Sequence, residues 1–258
     1  MGQPHHPLPL TSHEIIEKFN SITEMTSVAQ FYSENPLNVW QQVLGPSMHY
    51  HVGSYSTNNI FDQAIRNLYP YIDNNSTILD VGCGWGGPAN LLESEKNCLV
   101  HGVTNSSQQH QYNSQTTFLS DIHSFIPKQH YDTAIFIESL THFDDPATVL
   151  KQIRPHTNKI IIKDYLWYDE DWFNSDWKMH FRTYQSFQQL VSQDYTITHV
   201  EVETPDTYNS CLFWYNNMLT LPQHQIIGQI KTLYNLCSAV LDCGPNHNFS
   251  KLILIVAE

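Results

Sequence analysis

A doubly wound α/β fold around a mostly parallel sheet is what this sequence predicts, and three observations lead there. Five short apolar runs are separated by intervals of helix length; each run is nearly continuous rather than alternating; and the first ends in a turn dense in glycine, "TILDVGCGWGGP" (77–88). Continuous apolar runs belong to strands buried on both faces, which is the condition of a parallel sheet covered by helices.

The runs are "TILDV" (77–81), "CLVHGV" (98–103), "TTFLS" (116–120), "YDTAIFIE" (131–138) and "KIIIKDY" (159–165), followed by "TITHVEVE" (196–203) and "KLILIVAE" (251–258). Seven strands follow from this count. "THVEVE" alternates and so reads as an edge strand with one exposed side. Helices fit the intervals: one opening at Pro88, one near 106–113, one after Asp145 with Pro146 in its first turn, one at "TYQSFQQLV" and a long one over 223–241. Ahead of the first strand, the spacing predicts a helix over 12–32 with Ser12 as N-cap, an interruption at Asn35 and Pro36, and a second helix over 59–69. The reading is one domain over 1–258, with a helical lid segment (1–70), a core (71–258) and an insertion near 164–185.

Composition narrows the function. A chain of 258 residues with 41% hydrophobic residues builds a sizeable core. The formal net charge is −13 and no cluster of Lys and Arg appears, so nucleic acid is disfavoured as a partner. Cys83, Cys98, Cys211, Cys237 and Cys243 are odd in number and contain no C-x-x-C pair, which fits neither a disulfide framework nor a zinc site; no metal is expected, and the reducing cytosol is the expected compartment. No stretch reaches the roughly 18 to 20 apolar residues of a membrane span. Gly2 follows Met1, but His6 stands where a myristoylation signal needs Ser or Thr.

Gly82, Gly84 and Gly86 let the backbone bend sharply and approach a ligand with no Cβ in the way. With Gly87 the same residues also satisfy the dinucleotide pattern G-x-G-x-x-G, so the spacing leaves a dinucleotide and other nucleotide-like ligands open. A dinucleotide fold normally carries an acid at the end of the second strand to hold a ribose hydroxyl; here that place reads Thr104-Asn105.

Four stretches in order, "LGPSMHYHVGSY" (44–55), "LDVGCGWGG" (79–87), "GVTNSSQQ" (102–109) and "FIESLTHF" (136–143), make the chain resemble the class I S-adenosylmethionine-dependent methyltransferases. Within them it is most similar to the branch of cyclopropane fatty acid synthases, sterol and tocopherol C-methyltransferases and alkaloid N-methyltransferases. The resemblance implies a Rossmann-like fold with strand order 3-2-1-4-5-7-6, the seventh antiparallel, and S-adenosylmethionine as cofactor. A sulfonium cation with an amino acid tail calls for close backbone approach, carboxylates and aromatic faces, the last worth about 0.5 to 2 kcal/mol. Asp80, Gly82, Cys83, Gly84, Trp85 and Gly86 would hold the tail; Thr104, Asn105 and Gln109 would surround ribose and adenine. By resemblance Asp121 meets the adenine amino group, Ile122 packs on the ring, and Tyr50 closes over the methionine part.

Glu138 and His142 stand at and just beyond the fourth strand, four residues apart. If "SLTHF" is a helical turn, one can orient the other; they either act at the transferred methyl or line the pocket. Relatives use the Glu138 position in several ways, as a bicarbonate holder or as a substrate anchor, so no single role carries over, and Glu138 is also expected among the cofactor-binding residues. His49 and His51 flank Tyr50 and read as lid residues rather than metal ligands. The aromatic stretch 164–177 is either a pocket wall or an insertion folded over the sheet. The expected reaction is methyl transfer to oxygen or nitrogen of a small-molecule or peptide specialised metabolite, with carbon methylation of an isoprenoid or lipid, or cofactor binding without catalysis, as alternatives.

Overall fold

The computed structural model describes residues 34–113, 116–175, 177–246 and 250–258. The helix expected over 12–32, with its Ser12 cap, lies outside them, as do residues 1–33 of the expected lid. Among the described residues nine strands form the sheet: β1 (Thr77–Val81), β2 (Leu99–Thr104), β3 (Thr117–Leu119), β4 (Tyr131–Ile137), β5 (Thr157–Trp167), β6 (Trp172–Asn174), β7 (Met179–Thr183), β8 (Ile197–Glu203) and β9 (Lys251–Ala257). The main path runs β3-β2-β1-β4-β5-β9-β8, parallel from β3 through β5, with β9 antiparallel to both neighbours. The two strands beyond the expected seven leave the expected order intact.

Those two strands are the insertion. β4 ends its pairing at Ile137 opposite Lys163, but β5 continues to Trp167, past the expected end at Tyr165. The flank that β4 leaves open is taken by β7, through Leu166 with Arg182 and Trp167 with Thr183. β6 then pairs antiparallel with β7, and the hairpin holds itself together by aromatic packing, with Trp172 stacked on Phe181 at 4.9 Å and Trp167 against both. Strands of three and five residues are too short to show a period, which hid them in the sequence.

Helix ends follow local chemistry. α1 (Leu37–Leu44) begins behind Pro36, and α2 (Ile60–Arg66) is capped by the Asn59 side chain accepting from the amides of Phe61 and Asp62. α3 (Gly87–Lys96) carries Pro88 in its first turn, and α4 (Ser107–Tyr112) is capped by Ser106. Asp145 and Thr183 cap α5 (Pro146–Ile153) and α6 (Tyr184–Val191). The long helix expected over 223–241 is α8 (Gly228–Cys243); Gly228, at a φ of 51°, breaks the helical path, and 223–225 form a separate 3₁₀ turn. α1 and α7 (Thr207–Met218) were not expected. α7 is weak in helix formers, with Asn209, Ser210, Asn216 and Asn217, yet it buries Ser210, Cys211, Trp214 and Met218 along one side.

Alternate residues of the central strands face opposite cores, which is why the runs look continuous. Leu79, Ala134, Phe136, Ile160, Ile162, Ile253 and Ile255 pack with α5 and α6. Ile78, Ile135, Ile161, Leu254 and Val256 pack with Ile65, Leu68 and Leu92. A third cluster joins α1, α7 and α8 around Trp40, Trp85 and Trp214. All five cysteines are free thiols, and no described helix is long and apolar enough to cross a membrane.

Candidate active site

The carboxyl ends of β1, β2, β3 and β4 open into one cavity of about 530 Å³. Its wall contains Tyr50, Asp80, Gly82, Cys83, Gly84, Trp85, Thr104, Asn105, Gln109, Asp121, Ile122, Glu138 and His142. Gly86, expected beside them, is not in the wall. It sits at the left-handed N-cap of α3, where a Cβ would meet the Asn113 side-chain amide at 2.8 Å.

The other two glycines of the turn differ in purpose. A Cβ on Gly82 would stand 2.6 Å from the Ser139 Cβ, so Gly82 answers to a protein neighbour. On Gly84, at a φ of 53°, it would meet nothing within 4 Å, so this backbone faces open cavity. Gly84→Ala is therefore expected to cost about 1 to 2 kcal/mol for the left-handed backbone and to weaken ligand binding in a folded protein. Gly82→Ala should lower the thermal midpoint further, by its clash. Thermal unfolding with ligand titration checks both, and equal effects of the two changes would refute the distinction.

Asp80, next to last in β1, is almost wholly buried, and its Oδ2 has no hydrogen-bond partner. Burial pushes its pKa up to about 7. An unpaired buried carboxylate oxygen in a cavity wall is a receptor for a cation or donor. Cys83 is buried beside it, and burial with the Asp80 charge holds its thiol well above its ordinary pKa, which disfavours the thiolate that a nucleophile needs. Trp85 closes the turn from below against Trp40 and Tyr112.

At the end of β2 the Thr104 hydroxyl donates to Gln109 Oε1 at 2.6 Å and accepts from the Ser106 amide, so Thr104 and Gln109 are buried and locked together. Asp121 caps a 3₁₀ turn at 122–124, its Oδ1 accepting from the amide and ring of His123, which keeps its pKa below the usual range.

Glu138 follows β4 at a φ of 51°, rare for a residue with a side chain and characteristic of sites where function opposes backbone preference. Its amide donates to the Lys163 carbonyl at 2.7 Å; its carboxylate accepts from the Val52 amide at 2.9 Å and the Tyr165 hydroxyl at 2.7 Å. Burial nevertheless pushes its pKa up to about 8, against the pull of those two bonds. "LTH" (140–142) is a 3₁₀ turn, positioned by the Thr141 amide donating to Asp164. Burial lowers the His142 pKa to about 4, so the ring is neutral, and Nδ1–H donates to the Lys178 carbonyl at 3.0 Å. That tautomer makes Nε2 the basic nitrogen. Different neighbours thus orient Glu138 and His142, rather than each the other.

His49 and His51 are buried and bonded to each other at 3.0 Å. His51 Nδ1–H donates to the Val52 carbonyl, and His49 Nε2 faces Asp62 at 3.0 Å. Burial lowers both pKa values, opposed at His49 by Asp62. Among the described residues no group of three His, Cys, Asp or Glu is placed to hold a metal. Tyr50, between them, packs on Trp40 and Trp214 and accepts from the Gln229 amide.

The sequence did not single out Met48, Ser139, Phe143, Asp144 or Lys178 for the wall. The aromatic stretch 164–177 proves divided: Tyr165 supports Glu138 and Phe173 faces the cavity, while Trp167 and Trp172 pack within the hairpin.

The model of a family described as a methyltransferase domain matches residues 56–214. A curated relative, (S)-tetrahydroprotoberberine N-methyltransferase from Eschscholzia californica, is 30% identical over 112 residues, or 38% of this chain and 32% of the relative. The chain thus spans about a third of the length of the curated relatives it matches. A structure of coclaurine N-methyltransferase bound to N-methylheliamine and SAH superposes with a TM-score of 0.69 at 15% identity, covering 96% of this chain and 85% of that one. The cyclase SpnF superposes with a TM-score of 0.70 at 14% identity, covering 96% and 97%. At such identities these likenesses show the fold alone.

Proposed function

The chain belongs to the methyltransferase-domain family, and from that premise we propose that it transfers a methyl group from S-adenosylmethionine to the nitrogen of an amine in a small-molecule or peptide acceptor. The observation that carries this is one cavity with two carboxyl groups on opposite duties: Asp80, with its unpaired buried oxygen at the glycine turn, and Glu138, held with a raised pKa beyond β4. When bound, the cofactor supplies an electrophilic methyl on a sulfonium sulfur. The residues fit such a group: open space at Gly84 would admit its amino acid tail, and the unpartnered Asp80 oxygen would accept from its ammonium. Thr104, Asn105 and Gln109 would hold the ribose, and Asp121 with Ile122 the adenine. Tyr50 and Trp85, both in the wall, would supply aromatic contact to the cation.

An amine acceptor arrives as an ammonium and must lose a proton to attack. Glu138, poised near neutrality by burial, accepts that proton, and His142 Nε2 accepts a hydrogen bond from the same nitrogen. The N-methyltransferase names of the sequence relatives support nitrogen over oxygen. Segment 48–53, tied to Glu138 through Val52, excludes water above the site. Calorimetry with S-adenosylmethionine, its demethylated product and NAD tests the cofactor; both sulfur compounds should bind, and NAD binding of comparable strength would refute the reading. Mass spectrometry over an amine library should then show a gain of one methyl.

A further inference from the structure

The mouth of the cavity carries four charged or chargeable side chains: Asp121, His123, Asp144 and Lys178. Both acids already have an imidazole, Asp121 with His123 at 3.0 Å and Asp144 with His180 at 3.4 Å. The Lys178 ammonium, half-buried on the turn between β6 and β7, has no ion pair or hydrogen bond among the described residues. Its backbone, at a φ of 53°, is held by the bond from its carbonyl to His142. This turn therefore meets the cavity beside His142. The cavity wall also contains Ile137, Phe143 and the half-exposed ring of Phe173, surfaces suited to a flat apolar body.

In a chain of formal charge −13, a lone ammonium at the mouth is a selective feature. It repels a bare cationic amine and attracts one that also carries an anion. We propose that Lys178 anchors a carboxylate on the acceptor, so that the substrates are amines joined through an apolar, ring-sized spacer to a negative group at their far end. The amine end rests on the methyl-transfer reading; the carboxylate end does not.

The test uses phenethylamine and its ring-carboxylated analogue, para-(aminoethyl)benzoate, titrated calorimetrically into protein saturated with S-adenosylhomocysteine. The carboxylated probe should bind about tenfold more tightly, with the advantage shrinking as salt rises. Lys178→Gln should abolish that preference, Lys178→Glu invert it and Lys178→Arg retain it. These changes leave the carbonyl bonded to His142 in place, so they read the ammonium and not the orientation of the base. Equal binding of the two probes, binding of neither, or a preference unmoved by Lys178→Gln would overturn the proposal. Binding to the demethylated product needs no methyl transfer, so a failed methylation reading shows separately, as a probe bound but never methylated.

Discussion

Glu138→Gln is expected to lower turnover of an amine acceptor about 100- to 10,000-fold, the usual contribution of a positioned base, with a much smaller effect on S-adenosylmethionine affinity. Glutamine keeps one oxygen for the Val52 amide, and its NH2, standing where the second oxygen accepted from Tyr165, can donate to the Tyr165 hydroxyl instead, so the loss reads basicity rather than collapse of the wall. The pH profile gives the sign. A base works in its deprotonated form, and burial raises the Glu138 pKa to about 8, so wild-type kcat/KM should rise with pH up to about 8 and level off above it. An ammonium in the site stabilises the carboxylate, so the corresponding limb in kcat should lie at lower pH. His142, with its pKa near 4, adds no second limb at neutral pH. His142→Ala should lower turnover while leaving the limb in place, whereas Glu138→Gln should remove it. Wild-type kinetics with an amine in either variant would reduce that residue to pocket lining.

Asp80→Asn should separate stability from binding in opposite directions. The Asp80 pKa is raised in the folded protein to about 7, so its ionised form is the one folding disfavours. That penalty is absent below the unfolded value of roughly 4, grows as pH rises, and is complete above about 7. At pH 8 the amide variant should therefore be more stable than wild type by roughly 1 to 3 kcal/mol, the cost of a buried unsatisfied group. The same variant should bind S-adenosylmethionine about 10- to 100-fold more weakly, having lost a charge-assisted bond. Wild-type affinity should fall as pH drops below about 7, where Asp80 takes up a proton, and the variant should lack that dependence. Chemical denaturation and calorimetry across pH 5 to 8 check both halves; a variant less stable at pH 8, or equal in affinity, would show that Asp80 is satisfied in some other way.

The sequence by itself determined the succession of the main strands and helices along the chain and the place of the glycine turn. Strands buried on both faces write themselves as apolar runs, Pro146 and Asp145 mark a helix start, and Gly84 stands out because only glycine adopts its backbone cheaply. The absence of an acid at Thr104 was equally local. Tertiary structure alone decided which groups hold the candidate site residues, because their partners lie far along the chain. Val52 meets Glu138 across 86 positions, Tyr165 meets it across 27, and Lys178 meets His142 across 36. Bonds of that separation leave no periodicity to read. The hairpin that brings Phe173 and Lys178 to the cavity exists because β5 outruns β4 and offers an unpaired flank, a property of two strands side by side and not of either segment alone. Burial decided the rest: the carboxyls of Asp80 and Glu138 sit near neutrality in pKa only because the fold removes water from around them.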